Sequence, residues 1–137
     1  MKIFIVTIAA VILIMVFPMQ NVQDILNSRK IERFDGIVYA ACQKARTDGR
    51  FTESNISQLK SDIIAQFPEI GEDEIIIEVT TSMRYKRFEF DSRETIEYRI
   101  GIPIKRMVNM GRFLGIEDEE NSFNYILEGY VLSEVVE

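Results

Sequence analysis

The chain opens with a continuous run of apolar side chains. Residues 3–17 contain only one side chain that is not strictly apolar, Thr7, and Lys2 is the only charged residue before residue 24. As a helix this run reaches about 22 Å, which is short of the ~30 Å hydrocarbon core of a bilayer. The uncharged residues that continue to Gln23 bring the length to about 31 Å. We therefore predict a membrane-spanning helix over residues 1–23.

A retained anchor, a cleaved signal peptide and a buried helix of a soluble protein all begin in this way. The run ends in Val16, Phe17 and Pro18 rather than at a site of small residues, which favours a retained anchor. The side chains expected to form the anchor are Ile3, Phe4, Val6, Ile8, Val11, Ile12, Leu13, Ile14, Val16 and Phe17. Lys2 favours a cytoplasmic N-terminus and a head outside the cytoplasm, although basic residues also follow the span.

Beyond the apolar run the pattern becomes amphipathic. Pro18 is expected to kink the helix or to end it, because it cannot donate a backbone hydrogen bond. Apolar side chains then return at helical spacing, at Phe34, Ile37, Val38, Ala41 and Ala45. This spacing predicts an amphipathic helical continuation over residues 24–48, in which Gly36 marks either close packing or a break.

Residues 49–137 are predicted to form a soluble head. Thr52 is a candidate N-cap for a helix from Glu53 to Gln66, which Pro68 stops. A period of two then predicts strands near residues 75–79, 96–104 and 125–131, the second with its isoleucines on one face. The fold class is therefore α+β, with a long N-terminal helix, a short helix and a small, mainly antiparallel sheet of three to four strands.

Two connecting segments carry further expectations. Residues 82–94 are interpreted as a long hairpin in which Phe88 and Phe90 extend the sheet, and its candidate contacts for another protein are Arg84, Tyr85, Arg87 and Phe88. Residues 105–114 are interpreted as a short helix ended by Gly115. The side chains expected to turn inward there are Met107, Val108, Met110, Phe113 and Leu114.

Charge is distributed unevenly along the chain. The formal net charge is −6; residues 1–50 carry seven Lys/Arg against four Asp/Glu, and residues 51–137 carry nine against eighteen. An acidic head repels phosphate backbones, so nucleic acid is not expected as a partner.

Composition removes most catalytic and metal-binding chemistry. The chain has no His and a single cysteine, Cys42, which excludes a Cys/His zinc site and His-dependent nucleophilic catalysis. The glycines form no phosphate-binding loop, and the acidic residues 117–120 lack the order of a calcium loop. We expect no cofactor, no metal and no enzymatic activity, although a carboxylate pair stays open. Cys42 is interpreted as a buried core residue, with an intermolecular disulfide as the alternative.

This layout of apolar helix, Pro18, amphipathic continuation and small antiparallel head resembles the TadE-like pseudopilins of tight-adherence pilus systems. The resemblance implies a single-pass protein of the bacterial cell membrane with an extracytoplasmic head, incorporated into a surface filament. Its implied partners are the lipid bilayer, other pilin-like or secretion-system subunits and further copies of the chain. The family's early Glu has no counterpart, since the first acidic residue is Asp24. The alternative is a permanently anchored scaffold or assembly-platform protein with a ferredoxin-like head.

Overall fold

A single helix joins the predicted span to its predicted amphipathic continuation. In the computed structural model, which describes residues 1–89 and 91–137, helix α1 runs over the 47 residues Lys2–Asp48 and contains Pro18. Pro18 therefore does not end the helix, and Gly36 does not break it. The kink predicted at Pro18 stays a prediction.

The elements after α1 complete an α+β fold with a three-stranded antiparallel sheet in the order β1-β2-β3, as predicted. They are α2 (Glu53–Gln66), β1 (Ile76–Val79), β2 (Thr95–Lys105) and β3 (Ser122–Leu132), with 3₁₀ turns at Glu72–Glu74 and Gly111–Leu114. β1 pairs with β2 in a register that places Ile77 opposite Ile100 and Glu78 opposite Arg99. Pro103 lies beyond this ladder, so its missing N–H costs no bond to β1.

The chain divides into two compact units. The N-terminal unit combines Met1–Lys30 with Ile104–Phe123, and the head unit combines Ile31–Pro103 with Asn124–Glu137. Both units are therefore built from segments that lie far apart in the sequence.

The core of the head unit lies where α1 and α2 pack on β2. Its buried apolar side chains are Phe34, Val38, Ala41, Cys42, Ala45, Phe51, Leu59, Ile63, Phe67, Ile70, Ile96, Ile100 and Ile102. The helical spacing predicted the positions on α1, and the alternation predicted the isoleucines of β2. Each large side chain contributes about 1.5–3 kcal/mol by leaving water. The ring of Phe34 also meets that of Tyr125 on β3 edge to face, with centroids 6.0 Å apart.

Polar groups fix the second helix in the head. The Thr52 hydroxyl accepts a hydrogen bond from the Asn55 backbone N–H at 3.1 Å, which confirms the predicted N-cap. The buried Asn55 side chain donates to the Ala41 carbonyl of α1 at 3.0 Å. Since an unpaired buried amide is costly, this bond sets where α2 lies along α1.

The C-terminal segment closes the head unit. Glu134 donates its backbone N–H to the Arg46 carbonyl at 3.0 Å, and its carboxylate pairs with the Arg46 guanidinium at 2.6 Å. Lys86 forms an isolated parallel bridge with Val136. Residues 133–136 thus connect the end of α1 with the segment between β1 and β2.

β1 and β2 form the antiparallel pair on either side of residues 82–94, but these residues do not extend the sheet as predicted. The segment forms no strand among its described residues, and Phe90 lies outside them. Its backbone bonds elsewhere: the Arg84 N–H donates to the Gly49 carbonyl at 2.9 Å and the Lys86 N–H to the Val135 carbonyl at 2.6 Å. These tertiary bonds take the place of the sheet extension that was predicted for the segment.

The predicted helix over residues 105–114 is also wrong. β2 continues to Lys105, and only Gly111–Leu114 is helical, as one 3₁₀ turn. Arg106 and Met110 have left-handed backbones, with φ of 62° and 60°, which a continuous right-handed helix does not contain. Gly115 ends the turn as predicted, with φ of 79°.

Three of the side chains expected to turn inward on that segment are exposed instead. They are Met110, Phe113 and Leu114. The α-β-β-α-β order of a ferredoxin-like head is likewise not formed, because the connection from β2 to β3 holds only this short turn.

Replacement of Gly36 by Ala should stabilise the head unit. Gly36 lies inside α1, and a Cβ built there meets no atom within 4 Å. Since glycine loses more backbone freedom than alanine in a helix, we expect a gain of about 0.4–1 kcal/mol. Urea unfolding of the full chain in detergent micelles measures it.

Gly101→Ala provides the matched control. A Cβ at Gly101 would lie 2.9 Å from Cγ1 of Ile126 and 3.2 Å from the Tyr125 carbonyl oxygen, so this variant should lose stability. Equal changes in stability for Gly36→Ala and Gly101→Ala would contradict the difference in space around the two added Cβ atoms.

The contribution of Cys42 to stability should fall at alkaline pH. Cys42 is 3% exposed, and burial raises the pKa of its thiol from 9.0 to about 11. Above pH 9 the unfolded chain ionises this thiol while the folded chain keeps it protonated, so the unfolded state binds fewer protons and stability decreases towards pH 11. The loss should reach about 2–3 kcal/mol at most. The check is the free energy of unfolding of the native chain and of Cys42→Ala, measured from pH 8 to pH 11. The difference between the two chains should become smaller as the pH rises.

Candidate interaction surfaces

The first half of α1 presents an uninterrupted apolar surface. The predicted anchor side chains are exposed except for Val16, which is half-buried. By length and composition this part of α1 is able to cross a membrane. An apolar surface of this extent calls for lipid or another apolar surface as its environment.

A polar contact lies directly after this surface, within the N-terminal unit. The Gln20 side-chain amide donates to the Met107 carbonyl at 2.9 Å, and its oxygen accepts the Asn109 backbone N–H at 2.9 Å. Asn109 returns a hydrogen bond to the Met19 carbonyl at 3.3 Å. The connection between β2 and β3, residues 106–121 (the 106–121 loop), is therefore attached to α1 one to two residues past Pro18.

A second attachment lies two helical turns further along α1. Asn27 is buried, and its side-chain amide donates to the Arg106 carbonyl at 3.2 Å. Gln23 in turn donates to the Asn27 side-chain oxygen at 3.2 Å. Val16, Gln20, Gln23 and Asn27 recur at 4-3-4 spacing and are all at least partly covered, so the loop lies along one side of the helix.

Asn121 holds the 106–121 loop closed. Its side-chain oxygen accepts the Val108 N–H at 2.6 Å, and its side-chain amide donates to the Val108 carbonyl at 2.9 Å. A Cβ at Gly111 would lie 2.6 Å from that amide nitrogen, so glycine permits the close approach. Arg112 forms an ion pair with Asp118, and its hydrogen bond lowers the pKa of the Asp118 carboxyl.

The head segment proposed from sequence for a protein contact is only partly available. Arg84 and Tyr85 are half-buried, and the Arg84 carbonyl accepts a hydrogen bond from the Ser133 hydroxyl at 2.8 Å. Arg87 is exposed and lies 3.5 Å from Glu137, and Phe88 is 66% exposed beneath the Lys86 ammonium. Of the four predicted residues, Arg87 and Phe88 are thus the ones that another protein can reach. Their contact stays a prediction.

The polar face of the sheet is organised around Arg99. Its guanidinium lies 3.1 Å from the Glu78 carboxylate on β1 and 3.7 Å from that of Glu128 on β3. All three side chains are exposed, so these pairs contribute little to stability. Tyr98, Gly129 and Tyr130 border the same shallow depression. Among the described residues no group of His, Cys, Asp or Glu is placed to hold a metal.

Sequence reasoning missed the polar residues that attach the loop to α1. The sequence pattern indicates Gln20 only as an uncharged extension of the span, and it indicates no role for Asn27, Asn109 or Asn121. The signal they carry is weak, since it consists of amide side chains with no charge and no motif. Their partners are mostly backbone groups, which periodicity does not reveal.

Asn121→Ala should loosen the 106–121 loop without unfolding the head unit. The substitution leaves both backbone groups of Val108 without their side-chain partner, at a cost of about 1–3 kcal/mol. Hydrogen exchange of peptides from residues 106–121 in the full chain should accelerate. Asn124→Ala, which removes an exposed amide on β3, serves as the control and should change exchange little. Unchanged exchange in both variants would contradict the role of Asn121.

Comparisons of the chain with protein-family models, with curated proteins and with solved structures found no match. A functional assignment therefore depends on the helix and the surfaces described above.

Proposed function

We propose that this protein is a non-enzymatic, single-pass membrane component of a bacterial surface filament or related secretion system, of the TadE-like pseudopilin type. The observation that carries this proposal is that one helix, α1, contains both the exposed apolar run and part of the core of the head unit. Its apolar run is exposed, and the same unbroken helix supplies Phe34, Val38 and Ala45 to the core of the head unit. A hydrophobic helix continuous with the core helix of a small α+β head is the layout on which the resemblance to pseudopilins rests.

The apolar run suits storage in a bilayer followed by transfer to a helical bundle. No charged side chain lies between Lys2 and Asp24, so neither environment requires burial of a charge within the run. Moving this helix from lipid to a protein bundle exchanges one apolar environment for another. Its association would therefore depend on close packing with other subunits rather than on exclusion of water.

The partners follow from this placement. The lipid bilayer surrounds the run before assembly, and other pilin-like or secretion-system subunits, including further copies of this chain, surround it afterwards. The acidic head faces the extracytoplasmic side, where Arg87, Phe88 and the acidic surface are available to neighbouring subunits. Nucleic acid has no place in this function.

A permanently anchored scaffold is the second candidate, and one observation favours it. The 106–121 loop already occupies one side of α1 at Gln20 and Asn27, which withdraws that side from packing with other helices. Val22, Ile25 and Leu26 remain exposed beyond the apolar run, as expected for pairing with one partner helix. A scaffold would use this stripe while staying in the membrane.

Leu13→Lys should prevent stable membrane integration. A lysine within the span costs about 2.5–3.5 kcal/mol of insertion free energy. We expect the tagged full-length variant to be extracted from membranes by alkaline carbonate or degraded, whereas the control Leu13→Met stays in the membrane fraction. Carbonate extraction of both variants alike would contradict the anchor.

Shearing of intact cells separates the two candidates. If the protein is a filament component, part of the tagged chain should appear in the sheared surface fraction, and the intact mass of that material shows whether residues 1–17 are retained. Strict retention in the membrane fraction would reject the filament and support the scaffold.

A further inference from the structure

The 106–121 loop exposes three large apolar side chains on one short turn. Met110, Phe113 and Leu114 are 42%, 74% and 59% exposed. They follow Asn109, whose backbone and side chain are bonded to Gln20 and Met19 of α1. At about 3.8 Å per residue, the Cα of Phe113 lies within about 15 Å of that attachment.

The attachment lies at the end of the apolar run. Met19 and Gln20 come two and three residues after Phe17, which is about 3–5 Å along the helix axis. Val16 is half-buried between the exposed Met15 and Phe17, so the covered side of α1 reaches into the run itself. The loop and the end of the run therefore occupy the same level of the N-terminal unit.

That level corresponds to the edge of a bilayer. The run spans about 22 Å and the hydrocarbon core about 30 Å, with about 5–8 Å of headgroup region on each side. A bilayer that accommodates the span to Gln23 places Met19 and Gln20 about 4–6 Å inside the boundary between acyl chains and headgroups. The loop residues next to Asn109, which is hydrogen-bonded to Met19 and Gln20, then lie at the same depth.

The backbone of the turn forms internal hydrogen bonds, as a segment close to lipid requires. The N–H groups of Phe113 and Leu114 donate to the Met110 carbonyl at 2.9 and 3.3 Å, and the Ile116 N–H donates to the Gly111 carbonyl at 2.9 Å. Gly115 donates to the Arg112 carbonyl at 3.2 Å. Consecutive amides of the apolar turn are thus satisfied internally, which avoids the cost of carrying an unpaired amide towards lipid.

We propose that the 106–121 loop is a second membrane contact, in which Met110, Phe113 and Leu114 insert among the phospholipid chains of the leaflet where α1 leaves the bilayer. The inference rests on the proposed membrane anchor. The loop adds apolar surface where the run is short, as interfacial segments do when they bury an apolar face at the headgroup boundary. The turn is already folded, so insertion requires no ordering of the backbone.

The chain contains no Trp, so one introduced Trp reports its own surroundings. Three full-length variants are reconstituted into phosphatidylcholine vesicles: Phe113→Trp on the turn, Ile12→Trp inside the apolar run, and Glu119→Trp on the exposed acidic part of the same loop. Emission is recorded in plain lipid and in lipids brominated near the headgroup or near the chain end. Slow alkylation of Cys42 verifies that the head stays folded in each variant.

Phe113→Trp should show blue-shifted emission that loses about half its intensity with bromine near the headgroup, as expected for a side chain 5–10 Å into the interface. Ile12→Trp should be quenched most by bromine near the chain end, and Glu119→Trp should stay water-exposed and accessible to iodide. The contrary result is that Phe113→Trp emits at as long a wavelength as Glu119→Trp and is equally accessible to iodide. If Ile12→Trp is still quenched by brominated lipid, that result would overturn the loop contact alone. Loss of quenching at Ile12→Trp would instead overturn the anchor on which the proposal rests. Blue-shifted but unquenched emission at Phe113→Trp would indicate a protein surface and would also overturn lipid insertion.

Discussion

The continuity of helix α1 from Lys2 to Asp48 is the constraint on which the other parts of the structure depend. A helix satisfies its backbone groups internally, so one element can serve in lipid over residues 3–17 and in a protein core from Phe34 onward without changing conformation. Only the side chains change between the two parts. Phe34, Val38 and Ala45 are buried in the head unit, whereas within the part of the chain that the structure describes the run is covered only at the half-buried Val16.

Residues with strong periodicity were predicted correctly from the sequence. Thr52 as N-cap, the helical stripe of Phe34, Val38 and Ala45, and the alternating isoleucines of β2 all follow from local rules that the tertiary structure reinforces. The continuity of α1 through Pro18 did not follow from those rules. The proline removes one backbone donor, but the flanking turns remain helical, so the loss is local.

The sheet extension predicted for residues 82–94 and the helix predicted for residues 105–114 failed for a common physical reason. Their conformations depend on left-handed residues such as Arg106 and Met110, and on hydrogen bonds to partners distant in the sequence, such as Gly49 and Asn121. Apolar content alone suggested inward-facing side chains at Phe113 and Leu114. The tertiary bonds at Asn109 and Asn121 orient the turn instead, and so convert an expected core element into an exposed surface at the end of the apolar run.

The division of the head unit into two sequence segments has a consequence for biogenesis. The core made by residues 31–103 is completed by residues 124–137, through Tyr125 against Phe34, Glu134 against Arg46 and Val136 beside Lys86. Contacts of such large sequence separation form late and slowly. During synthesis, the part of α1 that follows the apolar run must therefore leave the ribosome and wait, with Phe34 lacking Tyr125 and Arg46 lacking Glu134, until β3 and the segment after it have emerged. This interval is when the chain would be most open to chaperones and to premature association with neighbouring copies.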